Sequence, residues 1–360
     1  MEDELVEDEH LTLEQRSVLP NAGFFVLDSL RESRTEQEVA ERIDGCDRAM
    51  LVDGDADGLG AVVVARRAFP DDEVAYVPTS PNGLHDDLAI FAEHVPEDVP
   101  AYVVDLALDD VEAVEAALDG LVERAASVHW YDHHQWDDAV IAALEERGIE
   151  VAVGDSDEVC SADVTLQELE AQGHALDDDV HEFVAVTRDQ DLWIKEDPRS
   201  DDLADLSVYL DDDEYVDAVL ETGVDFDEET RAFLEEKREE KRALIELAVE
   251  RASFHEVADT TIAQTYGRCS QNEVAEELRQ RGADAVTVVK PEGGVSFRGS
   301  DGFERCHEVA GLLDGGGHPK AAGCKPDVFD TMLDFARHWL EEGAAAREAT
   351  LDAYREILGA

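Results

Sequence analysis

The chain has 360 residues and a formal net charge of -61 at pH 7, from 90 acidic and 29 basic side chains. Hydrophobic residues make up 44% of it, which excludes a disordered acidic tail and predicts a folded protein with an acidic surface. Self-repulsion of this size is largely screened at about 1 M salt, where the Debye length is about 3 Å, so we expect a halophilic protein. In such salt, bulk charge neither selects nor excludes a nucleic acid partner.

The five cysteines are scattered, which argues against a zinc knuckle or a disulfide framework and fits a reducing cytoplasm. No signal peptide follows Met1, and no apolar run approaches the length of a membrane span. We therefore expect a cytoplasmic protein with no membrane partner.

Residues 1–47 form an acidic lead-in, and from 48 to 225 strand-like apolar runs alternate with helical segments. The predicted strands are 50–52, 75–77, 101–104, 127–131 and 149–153. The predicted helices are 59–69, 84–94, 109–125, 137–147, 161–172 and 177–186. This alternation predicts an α/β domain with a mostly parallel sheet covered by helices, and a ligand site at the carboxyl ends of its strands.

The rest of the chain predicts a connector helix and a second domain. Residues 226–256 have the pattern of one long amphipathic helix. Residues 257–345 begin again with strand, helix, strand and strand, which predicts a smaller α/β domain, and 346–360 form the end of a C-terminal helix.

Asp53, Asp55 and Asp57 alternate with small residues directly after the first predicted strand. Three like charges this close repel each other unless a cation lies among them, and clustered carboxylates bind hard cations such as Mg²⁺ or Mn²⁺. An EF-hand calcium loop is excluded, because its twelfth position is Val64 and a strand precedes it. An acidic surface turn is the remaining alternative for this stretch taken alone.

Two other strands also end in acidic or imidazole residues. Asp105 follows the strand 101–104, and Asp132-His133-His134 ends the strand 127–131. Each motif alone is more often a helix cap or polar packing. Together, at the ends of neighbouring parallel strands, they match a two-metal site of the phosphoester-cleaving type.

The order of these motifs resembles the DHH phosphoesterase superfamily, which is named for its third motif. The superfamily includes RecJ-like exonucleases, oligoribonucleases, cyclic-dinucleotide phosphodiesterases and family II inorganic pyrophosphatases. The first motif, with three aspartates, looks like the RecJ-type variant. The fourth is the loosest match: Asp189 is followed by the aromatic Trp193, but Asp191 is an alternative ligand.

Gly315-Gly316-Gly317-His318-Pro319 is similar to a motif of the DHHA1 domain, the companion of RecJ-like and oligonucleotide-cleaving members. Consecutive glycines let backbone amides approach an anion, and His318, Lys320 and Arg298 would add positive charge. The resemblance therefore covers most of residues 48–330 and disfavours the pyrophosphatase branch.

The resemblance implies two Mn²⁺ ions, with Mg²⁺ as an alternative. The implied metal ligands are Asp53, Asp55, Asp57, Asp105, His133 and Asp189, and which of the first three binds which ion stays open. Asp105 would bridge the ions. His134 would contact the phosphate or protonate the leaving oxygen, and Asp132 would fix a histidine tautomer. The implied substrate-binding residues of the second domain are Arg298, Gly316, Gly317 and His318.

These roles imply an exonuclease or short-oligonucleotide phosphodiesterase acting on single-stranded DNA or RNA, with replication or repair proteins as further partners. Two alternatives remain. One is a cyclic-dinucleotide phosphodiesterase, and the other is a non-catalytic replication or repair scaffold of the same superfamily.

Overall fold

The computed structural model of the chain describes residues 28–81, 83–327 and 331–360. These residues form two compact units, one ending at Leu234 and the other running over Glu235–Ala360. Residues 1–27 of the predicted acidic lead-in lie outside the described residues, and the remainder contains helix α1 (Asp28–Ile43). Within the described ranges, no helix is both long and apolar enough to cross a membrane.

The first unit is built on a five-stranded, all-parallel sheet. Its strands are β1 (Arg48–Asp53), β2 (Val74–Thr79), β3 (Ala101–Val104), β4 (Val128–Asp132) and β5 (Glu150–Val153). Its further helices are α2 (Ala56–Ala68), α3 (Leu84–His94), α4 (Glu115–Arg124), α5 (Asp138–Glu146), α6 (Ser161–Ala171), α7 (Asp178–Asp191), α8 (Arg199–Tyr209) and α9 (Asp212–Thr222), with a short 3-10 helix at Glu112–Val114. Helix α10 (Glu228–Glu250) spans the division between the units.

Both faces of this sheet are buried under helices. Along β1, Met50 and Val52 pack with residues of α2, α6, α7, α8 and α9. Ala49 and Leu51 point to the opposite face and pack with residues of α1, α3, α4 and α5. Because helices cover both faces of the sheet, successive residues of a strand are buried on one face or the other. The strands are therefore unbroken apolar runs in the sequence. The predicted parallel α/β fold is confirmed.

The strand order β2-β1-β3-β4-β5 places a crevice at the end of β1. Strand β1 pairs with β2 on one side and with β3 on the other, so the chain leaves these strands in opposite directions. Ligands of such sheets bind where the order reverses, outside the carboxyl ends of the strands. Asp53 and Asp105 lie at this point.

Gly58 is required where α2 starts close to the end of β1. A Cβ atom at Gly58 would lie 2.3 Å from the carbonyl oxygen of Asp53 and 2.8 Å from its amide nitrogen. At Gly60, on the same helix, a Cβ would make ordinary contacts 3.4 Å from Phe183 and Thr187. The close approach of the two backbones therefore leaves room only for glycine at this position.

The second unit contains a six-stranded mixed sheet in the order β10-β11-β9-β8-β7-β6. Its strands are β6 (Ser253–Val257), β7 (Thr260–Tyr266), β8 (Ala285–Val289), β9 (Val295–Gly299), β10 (Gly316–Gly317) and β11 (Ala321–Cys324). Its helices are α11 (Gln271–Gln280), α12 (Cys306–Gly311), α13 (Met332–Leu340) and α14 (Ala344–Leu358). Strands β7 and β8 run parallel, and the other neighbouring pairs run antiparallel. The C-terminal helix α14 packs into the core through Tyr354.

The predicted connector helix over 226–256 is too long by several residues. Helix α10 ends at Glu250, and Ser253–Val257 form β6, an edge strand paired with β7. Phe254 and Val257 favour a strand. The left-handed backbone of Ala258, with φ of 53°, turns the chain back and completes the hairpin.

We predict that Gly58→Ala destabilises the protein by about 1–3 kcal/mol, because the new methyl group has only backbone to displace. Gly60→Ala is the matched control on the same helix. It should be neutral or stabilising by up to about 1 kcal/mol, because alanine favours a helix more than glycine does. Urea unfolding of both variants measures the difference, and equal stabilities of the two variants would contradict the close approach at Gly58.

Candidate metal centre

Acidic and imidazole side chains that follow three neighbouring strands, together with Asp191 at the end of α7, meet at the carboxyl edge of the first sheet. They form three groups in which one donor atom of every member lies within 4.8 Å of the others: Asp53, Asp55 and Asp105; Asp57, His133 and Asp191; and Asp105, Asp132, His133 and His134. Asp105 and His133 each belong to two groups. The three groups are therefore one continuous cluster.

His133 lies at the middle of the cluster. Its Nε2 atom is 3.4 Å from Asp191 Oδ2, 3.8 Å from Asp105 Oδ1 and 3.9 Å from Asp57 Oδ2. Asp191 Oδ2 is buried and has no hydrogen-bond partner. A buried carboxylate oxygen in this position is suited to a cation.

Asp57 is 1% exposed and is held by the N-terminus of α6. Its Oδ2 accepts a hydrogen bond from the Ser161 amide at 2.6 Å, and its Oδ1 accepts one from the Ala162 amide at 2.9 Å. These hydrogen bonds do not offset the cost of ionising Asp57. Burial, followed by the charge of Asp191, raises the pKa of Asp57 to about 8.

Asp105 follows β3 in a left-handed backbone conformation, with φ of 63°. Its amide donates to the Tyr131 carbonyl at 3.0 Å, and its Oδ1 accepts from the Ser161 hydroxyl at 2.9 Å. Burial, together with the charges of Asp57 and Asp55, raises the pKa of Asp105 well above its ordinary value. A non-glycine residue held in this conformation at a buried charged site is typical of functional positions.

The other two aspartates of the first motif are less buried. Asp55 caps α2, accepting hydrogen bonds from the amides of Asp57 at 2.9 Å and Gly58 at 3.1 Å. Burial and then the charge of Asp55 raise the pKa of Asp53 to about 6. Burial and like charge thus act on Asp53 in the same direction as on Asp57 and Asp105.

Asp132 is saturated with hydrogen bonds. Its Oδ1 accepts from the His133 amide and from His134 Nδ1, both at 2.7 Å, and its Oδ2 accepts from Trp136 Nε1 at 2.7 Å. Burial raises the pKa of Asp132, but these bonds outweigh burial and hold it below its ordinary value. In return, the hydrogen bond to Asp132 raises the pKa of His134. Nε2 is then the ring nitrogen of the half-exposed His134 that is available to a ligand.

Asp189, the predicted fourth ligand, is in none of the three groups, and Asp191 takes that place. Asp189 Oδ1 instead accepts from the amides of Glu196 at 2.9 Å and Asp197 at 3.3 Å. Burial raises the pKa of Asp189, but bonds from the Ser200 side chain and these amides lower it below its ordinary value. Asp191 therefore lies in the cluster, and Asp189 accepts hydrogen bonds from the loop after α7.

Sequence reasoning missed Ser161 and Trp136. Ser161 contacts three cluster carboxylates: its amide donates to Asp57, and its hydroxyl donates to Asp105 and, at 3.4 Å, to Asp132. Trp136 donates to Asp132 as well. The available signal for Ser161 was its position at the start of the predicted helix after β5, where amides face outward. Nothing in the sequence pattern singled out Trp136.

The predicted substrate-binding residues lie in the second unit. Arg298 on β9 donates to Asn272 Oδ1 at 2.7 Å and to Ser296 Oγ at 2.9 Å. It lines a cavity of about 620 Å³ together with Arg279 and Lys320.

Gly316 and Gly317 form β10 of a tight hairpin with β11, rather than an open loop. A Cβ at Gly317 would lie 2.7 Å from the Ala321 carbonyl oxygen. The exposed His318 donates its amide to the same oxygen at 2.7 Å. Close backbone packing accounts for this glycine.

No protein-family model matches the sequence, and no curated protein matches it. Among solved structures, exonuclease RecJ bound to manganese is similar, with a TM-score of 0.52 and 16% identity over 88% of this chain and 94% of that one. RecJ from Thermus thermophilus in complex with Mn²⁺ has a TM-score of 0.51 and 15% identity over 93% of this chain and 56% of that one. The DHH domain of a member of the s1p family of ribosomal proteins has a TM-score of 0.51 and 12% identity, over 92% and 96%. The chain shares the fold of these RecJ and DHH-domain structures.

Proposed function

We propose that the protein is a metal-dependent phosphodiesterase that removes nucleotides from single-stranded DNA or RNA, or from short oligonucleotides. The observation that carries the proposal is the buried cluster of carboxylates and imidazoles at the point where the strand order reverses. Likeness of fold to exonuclease RecJ supports the choice of a nucleic acid substrate.

The residues of the cluster fit two divalent cations. One ion would be held by Asp57, His133 and Asp191, and the other by Asp53, Asp55 and Asp105. Asp105 Oδ1 lies 3.8 Å from His133 Nε2, which suits a carboxylate shared between the ions. Carboxylates with an imidazole fit Mn²⁺, and Mg²⁺ is the alternative.

The raised pKa values of Asp57, Asp53 and Asp105 support this assignment. Buried carboxylates that repel one another gain most from a positive charge among them. When bound, the cations would activate water as the nucleophile and neutralise the charge that develops on the phosphoryl group.

His134 would act on the substrate directly. Its Nδ1 is held by Asp132, so the second ring nitrogen is free to donate a hydrogen bond to the phosphate or a proton to the leaving oxygen. The hydrogen bond to Asp132 raises the pKa of His134, which keeps the imidazole protonated to higher pH. Asp132 is then a positioning residue for His134.

We assign substrate contacts in the second unit to Arg298, Gly316, Gly317 and His318. In the cavity that Arg298 lines, Arg279 pairs with Glu276 at 2.6 Å and Lys320 pairs with Asp301 at 2.8 Å. Arg298 instead donates to the neutral Asn272 and Ser296, so its guanidinium is the group of this cavity that suits a phosphate. The net charge of -61 supports a halophilic protein, so each measurement below is made in both dilute and molar KCl.

We expect the purified protein with Mn²⁺ to shorten labelled single strands from one end, and EDTA to abolish the reaction. His134→Gln should reduce kcat by about 10²- to 10⁴-fold, as expected for loss of a general acid, while leaving Mn²⁺ binding intact. Asp105→Asn should abolish both hydrolysis and the binding of Mn²⁺. A panel of single-stranded DNA, RNA, dinucleotides, cyclic dinucleotides and pyrophosphate identifies the substrate class.

If only cyclic dinucleotides are hydrolysed, the protein is a cyclic-dinucleotide phosphodiesterase and not an exonuclease. If no member of the panel is hydrolysed with Mn²⁺ or Mg²⁺, the proposal fails and a binding scaffold remains.

Replacement of the two aspartates at the end of α7 should separate their roles. Asp191→Asn should weaken Mn²⁺ binding by at least about tenfold, because a neutral amide replaces a charged ligand. Asp189→Asn should change Mn²⁺ affinity by less than about threefold and lower stability by about 1 kcal/mol, because it weakens hydrogen bonds to the loop. Calorimetric titration with Mn²⁺ and thermal unfolding measure both effects, and the reverse pattern would restore Asp189 as the ligand.

Without metal, the contribution of Asp57 and Asp53 to stability should fall as pH rises. Asp57 and Asp53 keep their protons up to pKa values of about 8 and about 6 in the folded protein, against an ordinary value of 3.8. Their contribution is therefore fully present below about pH 4 and is lost as pH rises to about 8. Mn²⁺ should displace these protons and stabilise the protein more at pH 8 than at pH 6.

Titration with Mn²⁺ at pH 7, in two buffers with different ionisation enthalpies, measures the protons released. Asp57→Asn should remove part of the release, and a heat that is independent of the buffer would contradict the protonated cluster.

A further inference from the structure

We propose that Trp193 is a stacking platform for a nucleobase of the substrate, at the mouth of the metal centre. The inference rests on the proposed function and narrows its substrate to phosphodiesters that carry bases. The indole is 74% exposed, although large aromatic side chains of globular proteins are usually mostly buried. It lines a cavity of about 510 Å³ together with His133, His134 and Asp191.

Trp193 has a backbone conformation that normally belongs to glycine. Helix α7 ends at Asp191, and Trp193 follows with φ of 56°. Its amide donates to the Gln190 carbonyl at 3.1 Å, and the Ile194 amide donates to the Asp189 carbonyl at 3.0 Å. These two bonds define a Schellman turn, in which the left-handed position is usually glycine because a Cβ atom is strained there.

The turn fixes the indole relative to the metal centre. Asp191, with an oxygen 3.4 Å from His133, is two residues before Trp193, and the hydrogen bonds of the turn hold both residues to the end of α7. Asp189 reinforces the loop through its side chain, which accepts from the amides of Glu196 and Asp197. A bulky side chain kept in a strained position beside a reactive site is explained by function better than by stability.

One face of the indole is already covered by a cation. Lys195 Nζ lies 4.3 Å from the centroid of the Trp193 ring, and Lys195 is itself left-handed, with φ of 61°. The ammonium group also pairs with Asp201. A cation on one face orients the ring, and the exposed remainder offers a planar surface to a base.

Stacking fits the substrate class better than hydrogen-bonded recognition of one base. Every base has a π-face, so an aromatic platform accepts any sequence, as an enzyme that shortens a strand one nucleotide at a time requires. The contribution of such stacking per base corresponds to about 5- to 150-fold in affinity. We therefore expect the protein to discriminate base-bearing strands from base-free strands of equal charge.

The test compares a short thymidylate strand with a strand of the same length made entirely of abasic residues. Affinities are measured by calorimetry in Ca²⁺, and cleavage rates are measured in Mn²⁺. The wild-type protein should bind the thymidylate strand more tightly. In Trp193→Gly the ratio of the two affinities should fall by about tenfold, whereas Trp193→Phe should keep most of it.

Stability distinguishes this role from a structural one. Glycine relieves the left-handed strain, so Trp193→Gly should unfold at or above the wild-type temperature while losing discrimination. Asp98→Gly is the matched control. Asp98 is also left-handed, with φ of 61°, and exposed, but it precedes β3 and so lies at the opposite edge of the sheet from the metal centre. Asp98→Gly should keep the wild-type ratio of the two affinities.

An unchanged ratio in Trp193→Gly would overturn the stacking role, even if wild-type protein cleaves both strands. An equal loss of affinity for both strands would also overturn it, because a base-free strand has nothing to stack. If the ratio falls as expected but no variant or wild-type protein cleaves, the stacking role stands and the proposed phosphodiesterase function fails.

Discussion

Electrostatic repulsion among buried carboxylates is the constraint on which this structure depends. Asp57 and Asp105 are 1% and 2% exposed and lie in one cluster with Asp53, Asp55 and Asp191. Burial and like charge both penalise ionisation, so the pKa values of Asp57 and Asp105 are raised. Protonation relieves this penalty without metal, and divalent cations among the carboxylates would relieve it in place of protons.

The fold supplies part of that compensation itself. The N-terminus of α6 directs two amides at Asp57, and the Ser161 hydroxyl donates to Asp105. The positive end of a helix favours a negative charge. His133 lies within 4 Å of three carboxylates, but an imidazole cannot balance all of them. The remaining negative charge distinguishes the cluster from a balanced ion-pair network and fits the proposed binding of cations.

Two of the seven left-handed non-glycine residues in the described ranges lie at the same centre. Asp105 and Trp193 both have left-handed backbones, and Gly58 allows α2 to start against β1 where any side chain would collide. Asp105 belongs to the cation cluster, and Trp193 lines the cavity beside it. The well-packed sheet and its two apolar layers hold these residues in place, so local strain can be tolerated for the geometry of the site.

The sequence by itself determined the alternation of strands and helices, the parallel sheet, and the carboxylates and histidines at its edge. Those features depend on local periodicity and on the rule that parallel strands end at one edge. Only the tertiary structure distinguished Asp191 from Asp189. Residues two positions apart on a helix point about 200° apart, and packing decides which of them faces the cluster. The tertiary structure also revealed Ser161 and the edge strand β6, because a contact between distant segments leaves no periodic signal in either of them. The exposed indole of Trp193 likewise became visible only once the end of α7 was placed beside His133.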